Sequence, residues 1–149
     1  MGYMKRLMAA VGCAVLLAGC SNDTGDLDAA DSPVARYDWD QRSAMEALLE
    51  GTLALVDGCL YIEADSSGDG AKTRNVPVFG RGLTSWDNST KTLTYDGVDY
   101  ELGAFVYAGG GSATPGDSAT IPPMCDTGSS GEVFFVQSPD LQPYDPDAN

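Results

Sequence analysis

Hydrophobic and polar residues alternate over much of the chain between residues 45 and 102. Alternation with a period of two is typical of a strand that has one buried face and one solvated face. Residues 45–56 and 92–102 both follow this pattern, so both segments are predicted to be β-structure. Residues 42–50 also fit a short amphipathic helix that ends at Gly51, because Ala, Met, Leu and Glu are strong helix formers, and this alternative stays open.

Two Asp-Gly pairs mark predicted hairpin turns. Asp57-Gly58 follows the first alternating segment and precedes the apolar run 59–62, and Asp96-Gly97 divides the second segment in two. Asp-Gly is favoured in the two-residue turns of β-hairpins because both central residues need a positive φ. We therefore expect two hairpins, one at each pair.

Three further features indicate the fold class. Residues 76–79 are predicted to be a strand in which Pro77 is confined to an edge or to the first position. Gly103 stands where the large residues change phase, as at a β-bulge or a barrel corner. Residues 133–136 are apolar on both faces, which predicts a central or closing strand. About six short strands predict an all-β domain, either a small antiparallel β-barrel or, as the alternative, an open sandwich.

The beginning of the chain has the layout of a bacterial export signal. Lys5 and Arg6 precede an apolar run over 7–17, which small residues follow. The run is shorter than the roughly 20 residues that a permanent membrane-spanning helix needs. The sequence Leu17-Ala18-Gly19-Cys20 resembles the lipobox of bacterial lipoproteins, which consists of an aliphatic residue, two small residues and the cysteine.

This resemblance implies a lipid anchor. Diacylglycerol would be attached to the Cys20 sulfur, cleavage would fall between Gly19 and Cys20, and the mature protein would lie on the outer face of the cell membrane. Two acyl chains hold a protein where a single chain binds only marginally. Ser21 follows the cysteine in place of aspartate, which argues against retention at the inner membrane in a cell that has an outer membrane. An ordinary secretory signal with a coincidental cysteine is the alternative.

Composition divides the chain into four parts. Residues 1–19 are the predicted signal peptide, and residues 20–43, which are acidic and poor in large apolar side chains, are predicted to be a flexible tether. The β-domain is predicted over 44–137. Residues 138–149 contain three prolines and three aspartates, which disfavour both helix and ladder pairing and predict a disordered tail.

The cysteine residues left in the mature chain predict a disulfide bond. With Cys13 removed in the leader and Cys20 lipidated, Cys59 and Cys125 remain, and in an oxidising compartment this pair predicts a disulfide.

The chain has 8 Lys plus Arg against 22 Asp plus Glu, a net charge of −14. Such a chain repels phosphate polymers and anionic headgroups, so we expect no nucleic-acid partner and membrane attachment only through the lipid. We also expect a monomer.

The residue types present exclude several kinds of catalysis. The chain contains no histidine, which removes Ser-His-Asp and Cys-His catalysis and the commonest zinc ligand. The stretch 128–131 fails the Gly-x-Ser-x-Gly spacing of a nucleophile elbow. Residues 65–70 match the start of an EF-hand loop, but Val76 occupies the place of the bidentate glutamate, so a simple hairpin loop is favoured over a calcium site. We expect neither a metal nor a cofactor, and no enzymatic activity.

Carboxylates and aromatic residues are the remaining candidates. Asp96, Asp99 and Glu101 surround the second hairpin, where a glycosidase would need a pair facing across a cleft about 5 to 10 Å wide. Alternation instead places Asp99 and Glu101 together on a solvated outer face. Four aromatic residues are candidates for a stacking platform, although alternation assigns most of them to a core: Trp86, Tyr95, Tyr100 and Tyr107. The glycine-rich stretch 109–119 is predicted to be a loop.

Several segments resemble a class of small uncharacterised domains in bacterial secreted and lipid-anchored proteins. The resemblance covers about residues 48–136. It rests on Leu49-Glu50-Gly51-Thr52-Leu53, Asp57-Gly58-Cys59-Leu60-Tyr61, Val76-Pro77-Val78-Phe79, Tyr100-Glu101-Leu102-Gly103, Gly109-Gly110-Gly111, and Ile121-Pro122 before Cys125. It implies a secreted β-domain and carries neither an activity nor site residues.

These expectations favour a lipid-anchored envelope protein with a non-catalytic β-domain that binds a protein, peptide or glycan partner or has a structural role. The alternatives are a carboxylate-dependent or metal-assisted hydrolase and a calcium- or ligand-capturing lipoprotein. A concave pocket that combines Asp96 or Asp99 with an aromatic residue would favour the hydrolase. Convex polar faces alone would favour the non-catalytic protein.

Overall fold

Two open β-sheets make up the structure, a computed structural model that describes residues 31–42, 44–66, 68 and 70–143. The strands of the described residues are β1 Ala35–Tyr37, β2 Ala47–Val56, β3 Cys59–Asp65, β4 Lys72–Asn75, β5 Pro77–Gly80, β6 Thr84–Asp87, β7 Thr92–Tyr95, β8 Val98–Glu101, β9 Phe105–Ala113, β10 Ala119–Thr120 and β11 Val133–Val136. A single 3-10 turn, Arg81–Leu83, separates β5 from β6. Within these ranges no helix is long and apolar enough to cross a membrane.

The larger sheet contains eight strands in the order β10-β1-β5-β11-β9-β2-β3-β4, and the smaller contains β6-β7-β8. The predicted all-β class is confirmed. The sheets stay open and pack in a sandwich-like way, so the sandwich alternative describes the fold and the closed barrel does not. Strands β1, β5 and β11 are parallel neighbours, whereas the other pairs are antiparallel. The parallel pairs join segments that are distant in sequence, which a pattern of local hairpins does not reveal.

Both predicted hairpins are confirmed. Asp57 and Gly58 have φ values of 49° and 83° between β2 and β3, and Asp96 and Gly97 have 47° and 79° between β7 and β8. These positive values are those of a type I′ turn, which explains the Asp-Gly pairs. The helix alternative for 42–50 is wrong, because β2 begins at Ala47 and the residues described before it are not helical.

Expectations for two other strands are confirmed and one loop prediction is wrong. Pro77 is the first residue of β5, and β11 lies centrally between β5 and β9. Gly103, with a φ of 89°, lies in the turn that carries the chain from β8 in the smaller sheet to β9 in the larger. The glycine-rich stretch from Gly109 to Ala113 belongs to β9 instead of a loop, because its backbone pairs with both β2 and β11. Glycine disfavours strands locally, but here it permits close approach.

The larger sheet is covered on both faces. One face packs against the smaller sheet in a core that contains Leu53, Leu60, Ile62, Phe79, Trp86, Leu93, Tyr95, Tyr100, Val106, Phe134 and Val136. The opposite face carries a second cluster, which includes Ala35, Tyr37, Cys59, Tyr61, Val78 and Val133 and is covered by Ile121 and Cys125. Burial on both faces explains why β11 is apolar without alternation.

The tether predicted over 20–43 is wrong from Pro33 onward. Residues 33–37 are buried, and β1 pairs with β5 on one side and β10 on the other. Residues 1–30, which include the predicted signal peptide, lie outside the described residues. Ala35, Tyr37 and Trp39 do alternate with Arg36, Asp38 and Asp40, but the segment is short and strongly charged. Its burial depends on β5, about 40 positions later in the sequence.

The disordered tail predicted over 138–149 is wrong for its described part. Leu141 is 0% exposed and belongs to the core between the sheets. The Tyr107 amide donates a hydrogen bond to the Leu141 carbonyl at 3.0 Å, and the Gln142 side chain donates to the Tyr100 hydroxyl at 3.2 Å. Residues 144–149 lie outside the described residues. The β-domain therefore extends at least over 33–142, well beyond the predicted 44–137.

Leu141→Ala tests this extension of the domain. We expect it to lower the free energy of unfolding by about 2 to 5 kcal/mol, because it removes a fully buried side chain and leaves a cavity. Urea denaturation measures the loss. The matched variant Leu48→Ala removes a leucine that is 60% exposed and should change stability by less than about 1 kcal/mol. Equal effects of the two substitutions would contradict the docking of residue 141.

Candidate functional site

The disulfide between Cys59 and Cys125 is present, as the sequence predicted. The two Cα atoms are 5.0 Å apart, and the cross-link joins residues separated by 66 positions. It fixes the segment around residue 125 over the second core cluster, where the Asp126 amide also donates a hydrogen bond to the Tyr61 hydroxyl at 2.8 Å. Gly19 and Cys20, the predicted cleavage and lipid-attachment residues, lie outside the described residues.

The calcium-like sequence 65–70 lies at the turn of a hairpin. Asp65 pairs with Lys72 across β3 and β4, and the Ser66 amide donates to the Ala71 carbonyl at 2.8 Å. Residues 67 and 69 lie outside the described residues. In the described ranges there is no group of three or more Asp, Glu, Cys or His residues that could hold a metal ion.

The three candidate carboxylates are divided between two places. Asp99 and Glu101 lie with Asp87 on the outer face of the smaller sheet, where they are exposed. The Thr94 hydroxyl donates a hydrogen bond to Asp99 at 2.6 Å, and hydrogen bonds from Ser89 hold the pKa of Asp87 below its usual value. Asp96, in contrast, lies at the turn between β7 and β8 and lines a cleft between the sheets.

Most of the candidate aromatic residues belong to the core, as alternation predicted. Trp86, Tyr95 and Tyr100 are at most 5% exposed. The Tyr95 ring packs at 5.5 Å from the Phe79 ring across the two sheets. Tyr107 is partly exposed. These four residues therefore do not form a common stacking platform.

A cleft of about 340 Å³ lies at the carboxyl ends of the three parallel strands. Parallel strands end at the same edge of a sheet, so the residues after them converge: Trp39 follows β1, Leu83 follows β5 and Gln137 follows β11. The described residues that line the cleft are Trp39, Gln41, Arg42, Ala44, Leu83, Asp96, Gln137 and Pro139. The volume falls within the range of about 300 to 1,000 Å³ that is usual for small-molecule sites.

The connection between β1 and β2 forms one wall of the cleft and is tied in place. The Arg42 amide donates a hydrogen bond to the Asp40 carboxylate at 3.0 Å, and Gln41 between them has a φ of 58°. The Met45 amide donates to the side-chain carbonyl of Gln137 at 2.6 Å. These bonds join the connection to the end of β11.

Two buried tyrosines fix the opposite wall. The Tyr37 hydroxyl donates to the Val136 carbonyl at 3.0 Å, and the Tyr95 hydroxyl donates to the Ser138 carbonyl at 2.7 Å. Gln137 lies between these two carbonyls, and its amide donates to the Gly109 carbonyl at 2.7 Å. One tyrosine comes from each sheet, so both sheets hold the segment that carries Gln137.

The smaller sheet contributes Asp96 to the cleft. Its amide donates a hydrogen bond to the Leu83 carbonyl at 2.8 Å, which fixes the hairpin turn against the last residue of the 3-10 turn that follows β5. Trp39 approaches from the other side and packs over Gly80, where an added Cβ atom would lie 3.4 Å from the indole. A larger residue at position 80 would crowd the indole.

No protein-family model, curated protein or solved structure matches this chain. The cleft combines in its lining a partly buried indole and aliphatic carbons with a guanidinium, a carboxylate and two amides. It satisfies the criterion of a concave pocket that joins Asp96 to an aromatic residue. Asp96 is, however, the one carboxylate among the described lining residues, so the paired acid and base of a carboxylate hydrolase are not assembled there.

Burial of the two tyrosines predicts a loss of stability at high pH. Burial raises the pKa of Tyr37 from 10.0 to about 12, and the pKa of Tyr95 rises for the same reason. Between pH 10 and 12 the unfolded chain releases these protons before the folded protein does, so the free energy of unfolding decreases as the pH rises through this window. Denaturation at a series of pH values measures the effect.

Tyr37→Phe and Tyr95→Phe should each reduce this pH dependence. The substitution Tyr107→Phe provides the control, because that ring lies in contact with exposed Phe105 outside the core. If all three variants keep the slope of the native protein above pH 10, burial of the two phenols does not cause it.

Sequence reasoning missed most residues of this cleft. Trp39 and Arg42 fell within the predicted tether, and Pro139 fell within the predicted tail. The one signal in the sequence was the pair of large aromatic residues at positions 37 and 39, in a segment otherwise made of small and polar residues. A tryptophan in a predicted linker indicates a contact, because its large apolar surface favours burial.

Proposed function

We propose that this protein is a lipid-anchored extracytoplasmic envelope protein whose non-catalytic β-domain binds a partner in the cleft at the ends of β1, β5 and β11. The lipobox-like sequence Leu17-Ala18-Gly19-Cys20 supports the anchor. The cleft, which gathers Trp39, Asp96 and Gln137 from three separate parts of the chain, is the observation that carries the binding function.

The direction of β1 supports display of the cleft away from the membrane. Pro33 lies just before the amino end of β1, where its carbonyl accepts a hydrogen bond from the Leu60 amide, and Trp39 follows the carboxyl end. An anchor at Cys20 would enter at the amino end. Residues 20–32 can reach at most about 45 Å, so an anchored chain would join the domain at the end of β1 opposite the cleft.

The hydrolase remains the second candidate because the cleft is concave and contains Asp96 beside an aromatic residue. The absence of a second carboxylate from the described lining supports binding without turnover. Product analysis by mass spectrometry after incubation with a bound ligand separates the two functions. Cleavage that is lost in Asp96→Asn would support the hydrolase and contradict the non-catalytic proposal.

Metabolic labelling with a fatty-acid analogue tests the anchor. We expect the native protein to incorporate label and to fractionate with membranes, whereas Cys20→Ser should be unlabelled and leave the membrane fraction. Mass spectrometry of the native protein should find an acylated amino terminus at Cys20. An unmodified chain that still starts at Met1 in the cytosol would contradict the proposal.

Photo-crosslinking in intact cells tests the binding site. A photoreactive amino acid at Gln41, which is exposed and lines the cleft, should capture a partner. The control position is Glu101, which is also exposed but lies on the outer face of the smaller sheet. Capture at Glu101 and none at Gln41 would move the binding function away from the cleft.

A further inference from the structure

We infer that the cleft at the ends of β1, β5 and β11 binds a neutral saccharide. This inference rests on the proposed function, because it takes the cleft to be the binding site and names the chemical class of the ligand. Three properties of the described lining carry it: the balance of its charges, the mixture of hydrogen-bond donors and acceptors, and the indole of Trp39.

The charge of the cleft favours a neutral ligand. Among the described lining residues there is one cation, Arg42, and one anion, Asp96, so these two formal charges cancel. The chain as a whole carries a net charge of −14, which makes the electrostatic free energy of bringing an anionic ligand to the surface less favourable. One carboxylate together with one guanidinium in the same described lining also gives a cation little net attraction to the site.

The hydrogen-bonding groups of the cleft match hydroxyl groups. The Arg42 guanidinium only donates, the Asp96 carboxylate only accepts, and the Gln41 amide does both. A sugar hydroxyl donates and accepts at the same atom, so adjacent hydroxyls can satisfy a guanidinium and a carboxylate together. All three side chains belong to exposed residues and lie at the rim of the cleft, where a ligand can reach them.

Trp39 supplies the apolar surface that such a ligand needs. The C–H groups on one face of a sugar ring are weakly positive and pack on the negative face of an aromatic ring. Trp39 is partly buried and held over Gly80, so it loses little freedom when a ligand binds. Leu83 and Pro139 extend the apolar lining on the other side.

The arrangement of strands argues against an extended peptide as the ligand. One common mode of binding adds such a peptide as a strand to an open sheet edge. At this end of the sheet the edge of β1 is already paired with β10, through Arg36 with Thr120 and Tyr37 with Ala119. Strand addition to β1 is therefore blocked at these described residues, and the cleft presents mainly side chains.

Two equivalent hairpin turns provide a matched pair of variants. Asp96 and Asp57 both occupy the first position of an Asp-Gly turn, with φ values of 47° and 49°, and only Asp96 lines the cleft. Asparagine is favoured at this position, so Asp96→Asn and Asp57→Asn both keep the turn and remove one negative charge. Any difference in ligand binding between them arises from the cleft.

The experiment titrates the purified protein with neutral disaccharides and tetrasaccharides of glucose and of N-acetylglucosamine, and with uronic-acid oligosaccharides of equal length. Amide chemical shifts in NMR spectra report binding. We expect a neutral saccharide to shift the amides of Gln41, Arg42 and Asp96, and the uronic-acid series to bind more weakly. Asp96→Asn should weaken binding about tenfold, since hydrogen bonds to charged groups are the stronger ones, while Asp57→Asn should leave it unchanged.

Trp39 variants add a second readout. Trp39→Ala should abolish saccharide binding, and Trp39→Phe, which keeps an aromatic face, should retain part of it. Thermal unfolding of each variant identifies any loss of binding that follows from loss of the fold. Binding that is unaffected in both Asp96→Asn and Trp39→Phe, or that favours the uronic-acid series, would overturn the inference.

The outcomes also separate this inference from the proposed function. If no neutral saccharide shifts the cleft amides while photo-crosslinking at Gln41 captures a protein, the ligand class is wrong and the cleft remains the binding site. If saccharides bind elsewhere and Gln41 captures nothing, both the inference and the proposed site are wrong.

Discussion

Gly110→Ala is expected to prevent normal pairing of β9 with β11. Gly110 lies in the middle of the larger sheet, where it faces Ala47 of β2 on one side and Val136 of β11 on the other. A Cβ atom at this position would overlap the Phe135 carbonyl oxygen, which is backbone and cannot rotate away. The φ of 154° adds to the difficulty, because residues other than glycine rarely adopt it.

We expect Gly110→Ala to lower the free energy of unfolding by more than about 3 kcal/mol, a large fraction of the roughly 5 to 15 kcal/mol typical of a domain. Urea denaturation and recovery of soluble protein measure the effect. Gly116→Ala is the matched control, since no atom lies within 4 Å of its added Cβ. Similar stability of the two variants would show that β9 and β11 can separate at Gly110 at little cost.

Removal of the disulfide is expected to have the second large effect. The double variant Cys59→Ala and Cys125→Ala opens a loop of 66 positions, and the chain-entropy model gives a loss of about 4 kcal/mol for a loop of this size. For a domain of roughly 100 residues this corresponds to a decrease of about 15 °C or more in Tm. Calorimetry or circular dichroism measures it.

Two controls distinguish the cross-link from the cavity left by the sulfur atoms. A reducing agent should lower the Tm of the native protein to a similar extent and leave the double variant unchanged. Hydrogen exchange should increase at Asp126, whose amide donates to Tyr61 in the segment that the disulfide fixes. A native protein that keeps its Tm after complete reduction would contradict a stabilising role for the bond.

Local sequence patterns predicted the elements whose information is local. The hairpins at Asp57-Gly58 and Asp96-Gly97 were predicted correctly, because a two-residue turn with positive φ restricts the residues at both positions. The central position of β11 was predicted from its apolar character on both faces. The outer face with Asp99 and Glu101 was predicted from alternation, since neighbouring strand residues point to opposite sides.

The wrong predictions for β1, Leu141 and Gly110 have one physical cause in common. β1 is three residues long, Leu141 is an isolated apolar residue between two prolines, and Gly110 lies in a run of glycines. The local pattern at each position is therefore too short or too weak to mark a strand or a core residue. Each is ordered by partners far away in the sequence: β1 by β5, Leu141 by the space between the sheets, and Gly110 by β2 and β11. Composition alone predicted flexibility for the segment that contains β1 and disorder for the segment that contains Leu141.

The sequence by itself determined the all-β class, the two hairpins, the disulfide pair and the assignment of most aromatic residues to a core. The tertiary structure alone decided that three parallel strands lie side by side and that Trp39, Asp96 and Gln137 meet at their ends. Turn chemistry and alternation act between residues that are close in sequence. A cleft formed by segments about 40 to 100 positions apart depends on which strands become neighbours, and that depends on the apolar surface that the whole sheet removes from water.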